Sequence, residues 1–124
     1  MYILGINAYH PDSSACIIND GVLITAIEEE RITRIKHWAG FPILSIKHCL
    51  KEANIKLSDV SYISINRDPK ANLFKKFLHV LRYKPSLNLI LDRLKFKKKY
   101  QTLNVIFEKE FLKDKFHGEI INIE

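Results

Sequence analysis

The spacing of hydrophobic positions changes along the chain, and the changes mark out its elements. Tyr2–Asn7 reads YILGIN and Ser14–Asn19 reads SACIIN, two short β-rich runs separated by the turn-forming HPDSS. VLITAI (Val22–Ile27) follows after only Asp20 and Gly21. Asp-Gly between two apolar runs predicts a hairpin, because a primed turn demands positive φ and glycine adopts it freely. The first three runs therefore predict a meander of three strands. Periodicity then shifts to helical. Ile43, Ile46, Leu50 and Ala53 recur at spacings of three and four behind Pro42, a residue suited to a first turn, and predict a helix. VSYISIN (Val60–Asn66) returns to strand character. Helical spacing comes back at Leu73, Phe74, Phe77 and Leu81, at Leu87, Ile90 and Leu94 behind a Ser86 cap, and at Leu103, Ile106, Phe107 and Phe111. GEIINI, ahead of the final Glu124, predicts a fifth strand.

A meander followed by right-handed crossovers gives a mixed five-stranded α/β sheet in spatial order 3-2-1-4-5 with helices packed on it. That is the ribonuclease H-like half-domain of the actin-like ATPase superfamily. The helix that usually follows strand five has no residues left to form it. Strands 1, 3, 4 and 5 would all end on one rim, where ligands of such sheets bind. The rim would gather NAYHPDSS, EEERITRIKH and NRDPK.

Length and composition fit one soluble domain: 124 residues, 47% hydrophobic and 27% charged. No apolar run approaches a membrane span, and MYILGINAYH lacks the basic start of a signal peptide. Cys16 and Cys49 lack CxxC spacing, so neither a disulfide framework nor a zinc motif is predicted, and a reduced cytoplasmic protein is expected. The formal charge of +6 is unevenly spread. Residues 67–99 hold eleven Lys and Arg against Asp68 and Asp92, whereas the rest of the chain is mildly acidic. A nucleic-acid argument therefore rests on that segment alone.

The candidate chemistry lies in the rim loops. His10, Asp12, Ser13 and Ser14 place an imidazole, a carboxylate and two hydroxyls on one turn, where Asp12 or His10 could act as a general base. Pro, Asp and Ser are equally the residues that ordinary turns prefer. In EEERITRIKH, Arg31, Arg34, Lys36 and His37 could clamp an anionic leaving group, or form a solvated, self-neutralising loop. Trp38 and Phe41 read as packing residues. The histidines at 10, 37, 48, 79 and 117 have no spacing that builds a metal site, and no metal ligand is predicted. No Walker loop, GxGxxG or GxSxG is present.

Together, ILGINAYHPDSSACIINDG, AIEEERITRIKHWAGFP and SIKHCLKEANIKLSDVSYISINRDP resemble the opening of the O-carbamoyltransferases. These are the nodulation-factor, cephamycin and aminoglycoside carbamoyltransferases, of the actin-like superfamily. The resemblance is dense over Ile3–Pro69 and thin over the basic segment. It implies a two-domain enzyme that uses ATP and carbamoyl phosphate to make carbamoyl-adenylate and passes the carbamoyl group to a substrate hydroxyl. His10 and Asp12 would lie near the acceptor hydroxyl. Lys36 would lie near the carbamoyl donor or its phosphate, with Ser13, Ser14, Arg31, Arg34 and His37 as substrate- or phosphate-binding residues.

The family also implies an iron-type divalent metal held by a histidine-rich motif that follows a strand like EIINIE. This chain stops just short of it, so residues 1–124 are expected to be the N-terminal part of the actin-like domain, inactive and metal-free alone. Expected partners are a small-molecule carbamoyl donor, a hydroxyl acceptor, and either a separately encoded remainder or a second copy. Neither membrane nor nucleic acid is expected. The competing reading is a small basic binding module that contacts nucleic acid or an acidic partner through residues 67–99.

Overall fold

The computed structural model describes residues 1–66, 78, 82, 103–111 and 114–123. Strands β1 (Tyr2–Asn7), β2 (Ser14–Asn19) and β3 (Val22–Glu28) form the meander. Asp20 and Gly21, with φ of 48° and 84°, make the two-residue turn between β2 and β3. A short helix α1 (Glu29–Thr33) follows, then α2 (Ile43–Glu52), a single 3-10 turn at Leu57–Asp59 and strand β4 (Val60–Ile65). Helix α3 (Leu103–Glu110) and strand β5 (Glu119–Asn122) complete the described elements. The two helical patterns expected between Leu73 and Leu94 lie outside the described residues.

The sheet has the expected order, β3-β2-β1-β4-β5. β2 is antiparallel to both neighbours, whereas β4 is parallel to β1 and β5 parallel to β4. This is the ribonuclease H-like sheet of the actin-like fold. β1, β3, β4 and β5 consequently end on one rim.

Alternation along the strands explains how the sheet buries one face. Leu4 and Ile6 on β1, Ala15 and Ile17 on β2, and Ile63 and Ile65 on β4 point into the core with Ile46, Cys49 and Leu50 of α2. On the other face the alternate positions nearest the rim are small or polar, Gly5, Asn7, Ser14, Cys16 and Ser64, while Ile3, Ile18 and Tyr62 lie further from it. A cavity of about 750 Å³ opens there at the rim, reached by Glu28 and Arg31. Helix α3 closes the core at one end. Phe107 packs edge-on against Phe41 at 5.8 Å and lies beside Phe111 and Phe116. Burial, reinforced by the nearby thiol of Cys16, pushes the Cys49 thiol up to about 11, so it behaves as a small apolar core residue.

Candidate functional site

Two loops meet at the rim, and backbone hydrogen bonds stitch them together. Tyr9 N–H donates to the Gly40 carbonyl at 3.2 Å, and Ser13 N–H donates to the Trp38 carbonyl at 3.0 Å. The Ser13 hydroxyl lies 2.8 Å from the Gly40 carbonyl oxygen and 3.0 Å from that of His10. Ser13 is fully buried, and its carbonyl accepts from Glu29 N–H at 2.9 Å. It is a staple between loops, so the expectation that it binds substrate is corrected. A hydroxyl committed to two internal carbonyls in the core has none of the exposure a ligand needs. Asn7 and Asn66 brace the same region, Asn7 Nδ2 donating to the Asp12 carbonyl and Asn66 Oδ1 accepting from Ala8 N–H, both at 3.1 Å.

The three consecutive glutamates separate in space. A helix turns each residue about 100° from the last, and EEERIT is helical from its second glutamate. Glu28 stays near the solvent and pairs with Arg31 at 3.4 Å. Glu29 is buried, and its carboxylate accepts from Leu44 N–H, Ser45 N–H and the Ser45 hydroxyl at 3.1, 2.7 and 2.7 Å. It therefore caps the start of α2, satisfying donors that a helix N-terminus leaves open. Glu30 turns to the rim and accepts from His37 N–H at 3.1 Å.

His37 and Asp12 meet there. Nδ1 of His37 is 3.0 Å from Oδ1 of Asp12, and their side chains are 76% and 48% exposed. Ligand atoms of Asp12, Glu30 and His37 all lie within 4.8 Å of one another. Tyr9, Asp12, Arg34 and His37 carry φ between 55° and 64°, so four residues of the two rim loops occupy the left-handed region that L side chains rarely adopt. Such strain concentrates where surrounding structure dictates the conformation, often at functional positions. Arg34 has the simplest reason, since it is the left-handed cap of α1.

Of the residues singled out in the sequence, the structure brings together Asp12 and His37 and adds Glu30, which sequence reasoning missed. Ser14 and Arg31 line the cavity instead, on the sheet face away from α2. His10, Arg34 and Lys36 are exposed, and among the described residues their side chains make no ion pair or hydrogen bond. They stand free at the rim. Phe41 is core, as expected, whereas the Trp38 indole packs over Gly40 with Nε1 buried and unpartnered. The basic segment 67–99 lies outside the described residues except for Leu78 and Arg82. No described helix is long and apolar enough to cross a membrane.

With sheet and rim established, the comparisons place the chain. Residues 2–117 match the model of the carbamoyltransferase N-terminus, and the chain belongs to that family. It is 50% identical over 68 residues to the uncharacterized protein sll1178 of Synechocystis, covering 55% of this chain and 11% of that protein. It is 43% identical over 58 residues to the nodulation protein NolNO of Sinorhizobium fredii, covering 47% of this chain and 8% of the relative. The aligned stretch thus spans about a tenth of these relatives' length. A solved structure, YeaZ from Pseudomonas aeruginosa, overlays 56% of this chain and 30% of its own with a TM-score of 0.39 and 20% identity.

The iron-type metal implied by the family calls for at least two converging imidazoles. Among the described residues, the cluster able to hold a metal offers one imidazole and two carboxylates. That donor set does not fit the two-histidine centre.

Proposed function

We propose that this chain supplies the acceptor-side rim of a carbamoyltransferase active site, and that the whole protein moves a carbamoyl group from carbamoyl-adenylate, made from ATP and carbamoyl phosphate, to a substrate hydroxyl. Residues 1–124 are the N-terminal part of the actin-like domain and do not complete the reaction alone. The observation that carries the reading is the convergence of Asp12 and His37 at 3.0 Å beside the unpaired Lys36 and Arg34, on the rim where the strands end. In the transfer, the acceptor oxygen bonds to the carbamoyl carbon and its proton passes to a base, His10 or Asp12. The bond from that carbon to the phosphate oxygen breaks, and the nucleotide leaves as an anion. Lys36 and Arg34 stabilise that anion as its charge develops, and fixed positive charge at a departing oxygen is among the larger contributions an enzyme makes.

The test uses the longest natural protein that contains this segment, supplied with ATP, labelled carbamoyl phosphate and a panel of hydroxyl acceptors. Lys36→Ala should lower transfer by about tenfold or more, since each ~1.4 kcal/mol of lost transition-state stabilisation is tenfold. Lys51→Ala, at the exposed end of α2, should leave turnover unchanged. Wild-type transfer in the Lys36 variant would remove the assignment.

A further inference from the structure

Of the rim segments, NRDPK has no part in the transfer reading. Its first residue, Asn66, extends the β1–β4 ladder one step past β4, donating its N–H to the Ile6 carbonyl at 3.3 Å. That brings its side chain beside Asn7, the last residue of β1. We infer that Asn66 and Asn7 are positioning residues for the transfer, a relay of two amides that ties the turn after β1 to the sheet and holds Asp12 as the general base. The inference rests on the carbamoyl-transfer reading for what Asp12 does, and on hydrogen bonds alone for how it is held.

A side-chain amide offers donors at one end and an acceptor at the other. Main-chain groups fix which way each of the two points. Ala8 N–H can only donate, and it meets Asn66 Oδ1 at 3.1 Å. The Asp12 carbonyl can only accept, and Asn7 Nδ2 donates to it at 3.1 Å. The ends left over are Asn66 Nδ2 and Asn7 Oδ1, and these face each other as donor and acceptor. Polarity therefore runs unbroken from Ala8 through both amides to Asp12. A carboxylate at either position would supply no donor and would break the relay.

The tie lands where the turn is strained. Asp12 has a φ of 64°, in the left-handed region. Tyr9 and Ser13, on either side of it, are bonded to Gly40 and Trp38 of the opposite loop, and Asn7 anchors the Asp12 main chain between them. The Asp12 carboxylate is thereby presented to His37 Nδ1 at 3.0 Å. A base must lie within hydrogen-bond reach of the hydroxyl it deprotonates, so a turn free to relax would misplace it. His10 has no such support, since among the described residues its side chain makes no ion pair or hydrogen bond. The geometry thus favours Asp12 over His10 as the base.

The test has two arms. The first uses the 124-residue chain without substrate, followed by nuclear magnetic resonance. Asn7→Ala should move the Asp12 Cα and Cβ shifts out of the left-handed range and move the His37 ring nitrogens to the shifts of an imidazole without the Asp12 bond. Asn66→Asp keeps the acceptor for Ala8 N–H but turns a second acceptor towards Asn7, and should do the same. Asn66→Ala should do less, because Asn66 is exposed and water can take the place of its amide. Ile63→Val, in the core of β4, lowers stability without touching either amide and should leave both signals parental. The second arm uses the longest natural protein containing this segment, in the transfer assay. Asn7→Ala and Asn66→Asp should lower kcat by about tenfold or more while the acceptor KM stays within about twofold, as expected when a base is displaced and binding is kept. Ile63→Val should keep the parental kcat. Parental Asp12 and His37 signals in a folded Asn7→Ala or Asn66→Asp chain overturn the inference, whatever the assay gives. Displaced signals with parental kcat overturn the positioning role. Absence of transfer by the parent protein removes the carbamoyl-transfer reading and the catalytic role with it, while the first arm alone decides whether the relay holds Asp12.

Discussion

At the scale of single residues, the run Glu28-Glu29-Glu30 shows how one sequence feature divides into three roles. A string of acids before a string of bases reads as a self-neutralising loop, and Glu28 with Arg31 does form that exposed pair. Glu29 does the opposite, leaving solvent to accept three hydrogen bonds at the start of α2. Nothing in the spacing distinguishes the two, because the distinction is set by the rotation of α1 against a helix fifteen residues later in the chain. The energetic contrast is testable. Glu29→Ala leaves Leu44 N–H, Ser45 N–H and the Ser45 hydroxyl without their charged acceptor, and should destabilise the chain by about 3 kcal/mol. Glu28→Ala removes only an exposed pair and should cost about 0.5 kcal/mol or less. Urea unfolding of the two variants measures the difference. Equal losses would show that Glu29 is not the cap of α2.

At the scale of elements, the strands were legible because each combines β-rich composition with a clear boundary, and Asp20-Gly21 fixed the hairpin. Helix α2 was legible from its stripe, and α3 from Ile106, Phe107 and Phe111. Helix α1 was not, since five residues with a single apolar position that faces solvent, Ile32, carry no periodic signal. The site was half legible for the same reason. Asp12 and His37 stand out as reactive residue types in rim loops, but Glu30 joins them only through the turn of α1, and Ser13 is withdrawn by tertiary packing. Strand β5 depends on a less obvious residue. A Cβ at Gly118 would collide with the Ser61 carbonyl of β4 and with the Phe116 ring. The backbone of β4 cannot swing aside as a side chain can, so Gly118→Ala should displace the start of β5 at a cost of about 1–3 kcal/mol. Hydrogen exchange should quicken at Ile120 and Ile121 while β1 and β2 keep their protection. Unchanged exchange in β5 would mean that the strand is held by its outer end alone.

At the scale of the whole molecule, the sheet packs one face against the core, and among the described residues β3 and β5 are its edge strands. Strand β3 is an edge strand, and Val22, Leu23 and Ile24 are 63%, 59% and 45% exposed on it. A register shift between Ile17 and Ile18 leaves Ile24 without a partner on β2, so the bulge turns apolar residues outward near the hairpin. At the other edge, Ile121 of β5 and Ile123 just beyond it are exposed. Edge strands with free backbone groups and apolar side chains are templates for pairing with another chain, and charged residues are the usual means of blunting them. Here β3 has none before Glu28. The chain should therefore self-associate as its concentration rises, despite a net charge of +6 that opposes contact between copies. Leu23→Lys places a charge at the middle of that exposed run without touching the core. By light scattering it should shift the population towards monomer, while the circular dichroism spectrum stays that of the parent. Glu52→Gln, on the exposed end of α2, raises the net charge by the same single unit away from the edge and serves as the comparison. If both variants shift association equally, net charge rather than the β3 edge governs it. If the parent is a monomer at every accessible concentration, the edge is protected by something other than its own sequence.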